Sequence, residues 1–169
     1  MLTNNSYPSP NHSSRSDVRV DVLVLHHTAT RRGAPALRTL TDDAVPPERR
    51  VSAHYLVDTD GTVYCLVAES RKAWHAGVST LRGESRPSVN ARSIGIEIVN
   101  PGDNVTPFTE AQYQALEQLV PEIVLRHRIP TENVLGHRDV APGRKTDPAD
   151  NFNWARVRAA VERAQRSVA

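Results

Sequence analysis

The stretch Ser93-Ile94-Gly95-Ile96-Glu97-Ile98-Val99 restricts the fold more than any other part of the chain. Its strict alternation predicts a strand, with Ile94, Ile96 and Ile98 on one face and Gly95, Glu97 and Val99 on the other. A carboxylate beside a glycine on a central strand invites a functional reading. A second strand is expected from Val18 to about His27. Valines 18, 20, 22 and 24 alternate there with Arg19, Asp21, Leu23 and Leu25, so its far end is the more deeply buried one. His26 continues the valine face, and His27 the opposite one.

The remaining pattern mixes short strands with helices. Residues 34–42 fit a short helix, followed by a loop at Val45-Pro46-Pro47. His54 to Val67 reads as a hairpin around Asp58-Thr59-Asp60-Gly61. Residues 70–92 lack sustained periodicity and read as a long surface loop. Thr109 with Gln112 forms a capping box that opens a helix to about Arg128, with Tyr113, Leu116, Val120, Ile123 and Val124 as its apolar stripe and Pro121 as a break or kink. A short strand at Asn133–Gly136, an irregular stretch through Asn153 and a last helix from about Trp154 to Ser167 complete the chain. This intermingling predicts an α/β fold: a single domain with a central mixed β-sheet flanked by helices. Residues 1–16, rich in Ser, Asn and Pro, read as a flexible or extended N-terminal arm, and residues 17–169 as the domain proper.

A chain of 169 residues suffices for one domain with a sizeable core. No apolar run approaches the roughly 20 residues of a membrane-spanning helix, so no membrane span is expected. Lys and Arg number 21 against 19 Asp and Glu, and the arginines form no stripe with interleaved aromatics, which argues against a nucleic-acid partner. The single cysteine, Cys65, excludes an internal disulfide and reads as a small buried hydrophobe. Met1–Ser16 lacks the basic-then-apolar pattern of a secretory signal. A cytoplasmic location is the expectation, with a periplasmic or secreted one as the alternative if a targeting segment is not represented. Nothing in the sequence sets an oligomeric state.

Chemistry concentrates in a dispersed set: His26 at a strand end, His137 in Gly136-His137-Arg138-Asp139, and Asp147 in Arg144-Lys145-Thr146-Asp147-Pro148. Two imidazoles, a carboxylate and a water would make an open tetrahedral zinc centre that ionises the water near pH 7. Spacing alone leaves two readings open. There is no His-x-x-x-His pair, and seven histidines allow many combinations. The alternative is hydrogen-bonded structural histidines with a turn-forming Asp-Pro.

Five ordered motifs favour the first reading. Val22-Leu23-Val24-Leu25-His26-His27-Thr28, Val51-Ser52-Ala53-His54-Tyr55, Ala73-Trp74-His75-Ala76-Gly77, Ser93-Ile94-Gly95-Ile96-Glu97 and Gly136 through Pro148 span most of residues 20–155. Together they resemble the amidase-2 family of N-acetylmuramoyl-L-alanine amidases, whose relatives include phage lysozymes of amidase type and peptidoglycan recognition proteins. The closest match is to the bacterial muropeptide-amidase branch.

The resemblance implies a Zn2+ cofactor held by His26, His137 and Asp147 in a surface groove at one edge of the sheet. It also implies catalytic roles for Glu97 as acid/base and Lys145 as stabiliser of negative charge, and a peptidoglycan or muropeptide substrate. Some phage relatives carry a tyrosine where this chain has Ala53, which leaves proton transfer to Glu97 and gives Tyr55 no role. His54, Trp74 and His75 are candidate substrate-binding residues, with core or second-layer hydrogen bonding as the alternative for the histidines. His27, on the other strand face, is expected to be structural. A non-catalytic peptidoglycan receptor of the same fold is the alternative function. The filled ligand and Glu97 positions favour the enzyme.

Overall fold

In the computed structural model, which describes residues 1–168, a five-stranded sheet carries the molecule. Its strands are β2 (Val22–His27), β3 (Tyr55–Val57), β4 (Val63–Cys65), β6 (Ser93–Ile98) and β7 (Val134–Gly136), in the order β4-β3-β6-β2-β7. Only the β3–β4 hairpin is antiparallel, while β3, β6, β2 and β7 run parallel. The long α-helix α3 (Glu110–His127) and the terminal α5 (Trp154–Ser167) cover one face. Against them lie Leu23, Leu25, Ile94, Ile96 and Ile98, all fully buried. Each such side chain removed from water contributes about 1.5–3 kcal/mol, so this face anchors the domain.

The expected capping box of α3 is present: the Thr109 hydroxyl accepts from the Gln112 N–H, and the Gln112 side chain accepts from the Thr109 N–H. The helix runs through Pro121 to His127, the extent expected from its sequence pattern. A proline inside a helix costs about 3 kcal/mol, which burial of Leu116, Leu119, Val120, Ile123 and Val124 outweighs.

On the opposite face, α1 (Gly33–Thr41) sits over β3 and packs Ala36, Leu37 and Leu40 against Leu56 and Ala53. The one-turn helices α2 (Val89–Arg92) and α4 (His137–Val140) adjoin β6 and β7 respectively. No helix among the described residues is long and apolar enough to cross a membrane.

Two segments carry more structure than their composition implies. Within residues 70–92, β5 (Arg71–Ala73) pairs antiparallel with β1 (His12–Ser14) of the N-terminal arm, so the arm is extended and paired. Arg15 inserts from the arm into the interior, donating to the carbonyls of Glu69, Ala91 and Ser93. Three-residue strands have no readable periodicity, and their partners are almost 60 residues apart in sequence, so neither was visible to pattern analysis.

Candidate active site

Parallel register assembles the site. His26 on β2 is the cross-strand partner of Glu97 on β6, and Leu25 that of Gly136 on β7, which sets His137 beside His26. Directly opposed residues on adjacent strands share a face. His26, Glu97 and His137 therefore emerge together at the carboxyl ends of three parallel strands, on the face away from α3. The loop after α4 brings in Asp147, whose backbone carbonyl accepts from the Arg138 N–H at 3.0 Å. Asp139 has a local role: its carboxylate accepts from the Gly136 N–H at 2.7 Å and braces the turn into α4.

His26 Nδ1 lies 3.0 Å from His137 Nδ1 and 3.0 Å from Asp147 Oδ2, and His137 Nδ1 lies 3.2 Å from that same oxygen. All three residues are buried. The surrounding hydrogen bonds assign the tautomers. The Ser93 hydroxyl donates to the Val89 carbonyl (2.5 Å), so its oxygen accepts from His75 Nε2–H (2.9 Å). His75 Nδ1 is then left to accept from His26 Nε2–H (2.9 Å), which leaves the lone pair of His26 on Nδ1. Likewise, His137 Nε2–H donates to the Ala76 carbonyl (3.0 Å) and turns its Nδ1 lone pair inward.

Two nitrogen lone pairs and a carboxylate oxygen thus face one another with no proton between them. A cation relieves that repulsion. The near-equilateral triangle also suits a tetrahedral ion, since metal bonds of about 2.0–2.1 Å separate ligand atoms by roughly 3.3 Å. The donor set fits a metal. Burial pushes the His26 imidazole down to about 4 and His75 well below its ordinary value, so both are neutral, as ligation and relay require.

Glycine at position 95 is explained by His75. A Cβ there would meet His75 Cγ at 2.4 Å, so the ring lies directly over the backbone of β6 between Ser93 and His26. Glu97, on the same face, is half-buried, and its Oε2 is shielded from solvent with no hydrogen-bond partner. Burial, and secondarily the Asp147 charge, raises its carboxyl well above the ordinary carboxylate value, against the opposing influence of Lys145.

These groups open into one cavity of about 290 Å³ whose lining includes His26, Glu97, His137, Lys145 and Asp147 together with the apolar Ala36, Leu40, Val51 and Trp74. His75 also reaches it, but His54 does not. Fully buried, His54 accepts from the Gly95 N–H on Nδ1 (3.0 Å) and turns Nε2 toward the Arg71 carbonyl (2.9 Å). His27 was expected to be structural and on the far face. It borders this cavity and a neighbouring one, because the strand ends there and its ring passes against Gly102. Ser93 escaped sequence reasoning, although its parity with Gly95 and Glu97 was a usable signal.

A buried two-histidine, one-carboxylate group suited to a metal, with a second carboxyl and a lysine at the same cavity, defines the class of protein as a hydrolytic enzyme on an α/β scaffold. The model of the N-acetylmuramoyl-L-alanine amidase family matches residues 16–150, and the chain belongs to that family. It is 36% identical over 168 residues to the 1,6-anhydro-N-acetylmuramyl-L-alanine amidase AmpD of Citrobacter freundii, covering 91% of this chain and 88% of that protein. Among solved structures, a selenomethionine derivative of AmpD superposes with a TM-score of 0.79 at 35% identity, covering 95% of this chain and 99% of that one. The Escherichia coli amidase AmiD, in complex with anhydro-N-acetylmuramic acid-L-Ala-D-γ-Glu-L-Lys, gives 0.74 at 37% identity, covering 92% of this chain and 61% of that one.

Proposed function

We propose that the chain is a zinc-dependent amidase that hydrolyses the bond between the lactyl group of N-acetylmuramic acid, or its anhydro form, and L-alanine in peptidoglycan or muropeptides. The observation that carries this reading is the convergence of the His26–His137–Asp147 triangle, Glu97 and Lys145 on one cavity, in a chain of this family. AmpD and AmiD, named for this class of reaction, support the substrate assignment.

His26, His137 and Asp147 would hold the ion, offering Nδ1, Nδ1 and a carboxylate oxygen. When bound, zinc supplies Lewis-acid polarisation of the amide and a water that ionises near pH 7. Glu97 takes the proton of the attacking water and passes it to the departing L-alanine nitrogen. Its buried, unpartnered oxygen, with the proton affinity raised by burial, suits a group that must both hold and release a proton. The Lys145 ammonium, in the lining of the same cavity, offsets the charge that grows on the amide oxygen. The apolar part of the lining, with Trp74, grips a part of the substrate that does not react.

The test is release of free tripeptide from anhydro-N-acetylmuramic acid-L-Ala-D-γ-Glu-L-Lys, followed with and without a chelator and with metal content measured on the same sample. Chelator-sensitive release supports the amidase. Tight retention of intact ligand by the zinc-loaded protein would instead identify a receptor.

A further inference from the structure

We infer that the N-terminal arm, residues 9–13, is a positioning element of the substrate groove: it fixes the apolar wall without touching the substrate. The inference rests on the proposed reading of the cavity as the substrate site. Ser9 and Asn11 are polar yet buried at 3% and 1% exposure, and their hydrogen bonds run to the backbone of that wall. Ser9 Oγ donates to the Leu40 carbonyl at 2.5 Å. Asn11 Nδ2 donates to the carbonyls of Asp42 (2.9 Å) and Val51 (3.1 Å). The Ser52 hydroxyl donates to the Asn11 carbonyl (2.5 Å) and in turn accepts from the Trp74 N–H (2.9 Å). Ser13 Oγ accepts from Trp74 Nε1–H at 3.1 Å.

Leu40, Val51, Ser52 and Trp74 all line the cavity, and among the described residues none of the arm does. The arm therefore acts only through others. Each of these wall segments comes from a different place: the end of α1, the loop before β3 and the residue after β5. They share no backbone ladder with one another beyond the Ser52 N–H donating to the Trp74 carbonyl at 2.9 Å. Asn11 is the group that joins the first two. A buried amide with both donors engaged is costly to remove, because its carbonyl partners would be left unsatisfied. His26, Glu97 and His137, in contrast, stand on or beside β2, β6 and β7, to which residues 9–13 make none of these bonds. Loosening the arm should thus weaken ground-state and transition-state binding equally, raising KM while sparing kcat and metal content.

Asn11→Ala and Ser13→Ala in the zinc-loaded protein test this, with Asn4→Ala as a control on the same arm where it pairs beside β4. The anhydromuramyl tripeptide serves as probe for both steady-state kinetics and calorimetric binding. Asn11→Ala and Ser13→Ala should raise KM and Kd about 3- to 10-fold, a change equivalent to about 0.7–1.4 kcal/mol, with kcat within twofold. Ser13→Thr, which keeps the acceptor oxygen, should restore the wild-type KM. Asn4→Ala should leave KM unchanged even if the melting temperature falls. Unchanged KM and Kd in both groove-side variants, or a fall in kcat accompanied by metal loss, would overturn the inference. Wild-type protein that binds the probe without cleaving it removes the amidase reading alone, since Kd still reports on the arm. Wild-type protein that does not bind it removes both.

Discussion

His26 and Glu97 are cross-strand partners on β2 and β6, so the first proposed metal ligand and the proposed acid/base are side by side on one face of a parallel sheet. Their roles are separable because Glu97 offers no atom to the His26–His137–Asp147 triangle. Glu97→Gln keeps the shape of the side chain and removes its proton chemistry. Activity should fall about 10²–10⁴-fold, the usual contribution of a general acid/base, with zinc content unchanged. Loss of zinc in step with activity would make Glu97 a ligand or a structural support.

Removing a ligand has the opposite signature. His26→Ala or His137→Ala leaves two donors where an open zinc site uses three. Both variants should lose bound zinc and activity together, and the wild type should bind about one zinc per chain. Activity that persists in wild-type protein after metal removal, verified by elemental analysis, would sink the zinc assignment.

For Lys145 the informative quantity is the division of the effect between kcat and KM. Charge on the amide oxygen grows only during attack, so Lys145→Met should lower kcat by roughly 10²–10³-fold with little change in KM or zinc, as removal of one oxyanion donor does. A raised KM with kcat intact would show instead that Lys145 grips a substrate carboxylate.

Gly95→Ala tests the His75 relay without altering any proposed ligand. The new Cβ would meet His75 Cγ at 2.4 Å, and the ring must move away from His26 Nε2 and Ser93 Oγ. Overpacking of this kind costs about 1–3 kcal/mol of stability, and loss of an outer partner weakens metal affinity about 10–100-fold. Chelator competition and urea unfolding measure the two effects. Wild-type zinc affinity in a folded Gly95→Ala protein would show that the relay does not hold His26.

Stability should depend on pH through His54. Burial, the largest influence, holds its imidazole down at about 3 against the ordinary 6.5. The unfolded chain takes up a proton near pH 6.5 that the folded chain refuses, so this stability is complete above pH 6.5 and is lost as the pH falls toward 3. The slope is about 1.4 kcal/mol per pH unit for one such proton. Urea unfolding between pH 4.5 and 6.5 should therefore be less pH-dependent by about one proton in His54→Gln than in wild type. Equal slopes would count against a neutral buried His54.

Much of this protein is written in local pattern. Alternation in Val22–His27 and Ser93–Ile98, the Thr109–Gln112 capping box and the 14-residue last helix are period and end signals that need no distant partner to be read. The same locality sets the limits of that reading. His27 keeps the strand parity expected of it, pairing with Ile98, yet it borders the cavity because β2 ends at that residue. The extent of α3 to about Arg128 is legible despite Pro121, but the burial that carries the helix past the proline belongs to the other side of the core. The arm reads only as flexible or extended because Ser9, Asn11, Ser13 and Arg15 look solvent-seeking until the carbonyls they satisfy are in place.

By itself, the sequence determined the class of fold and, through its ordered motifs, the family. It also marked His26, Glu97, His137, Lys145 and Asp147 as the residues to examine. Only the tertiary structure decided which nitrogen of each histidine faces the triangle, that His75 and Ser93 orient His26, that His54 stands apart from the groove, and that an N-terminal arm braces the groove's wall. The division has a physical cause. Strand and helix periodicity arise from interactions within a few residues, whereas tautomers and cavity walls are set by hydrogen bonds between groups far apart in sequence. His26 and Asp147, separated by 121 positions, meet at 3.0 Å only when β2, β6 and β7 are in register.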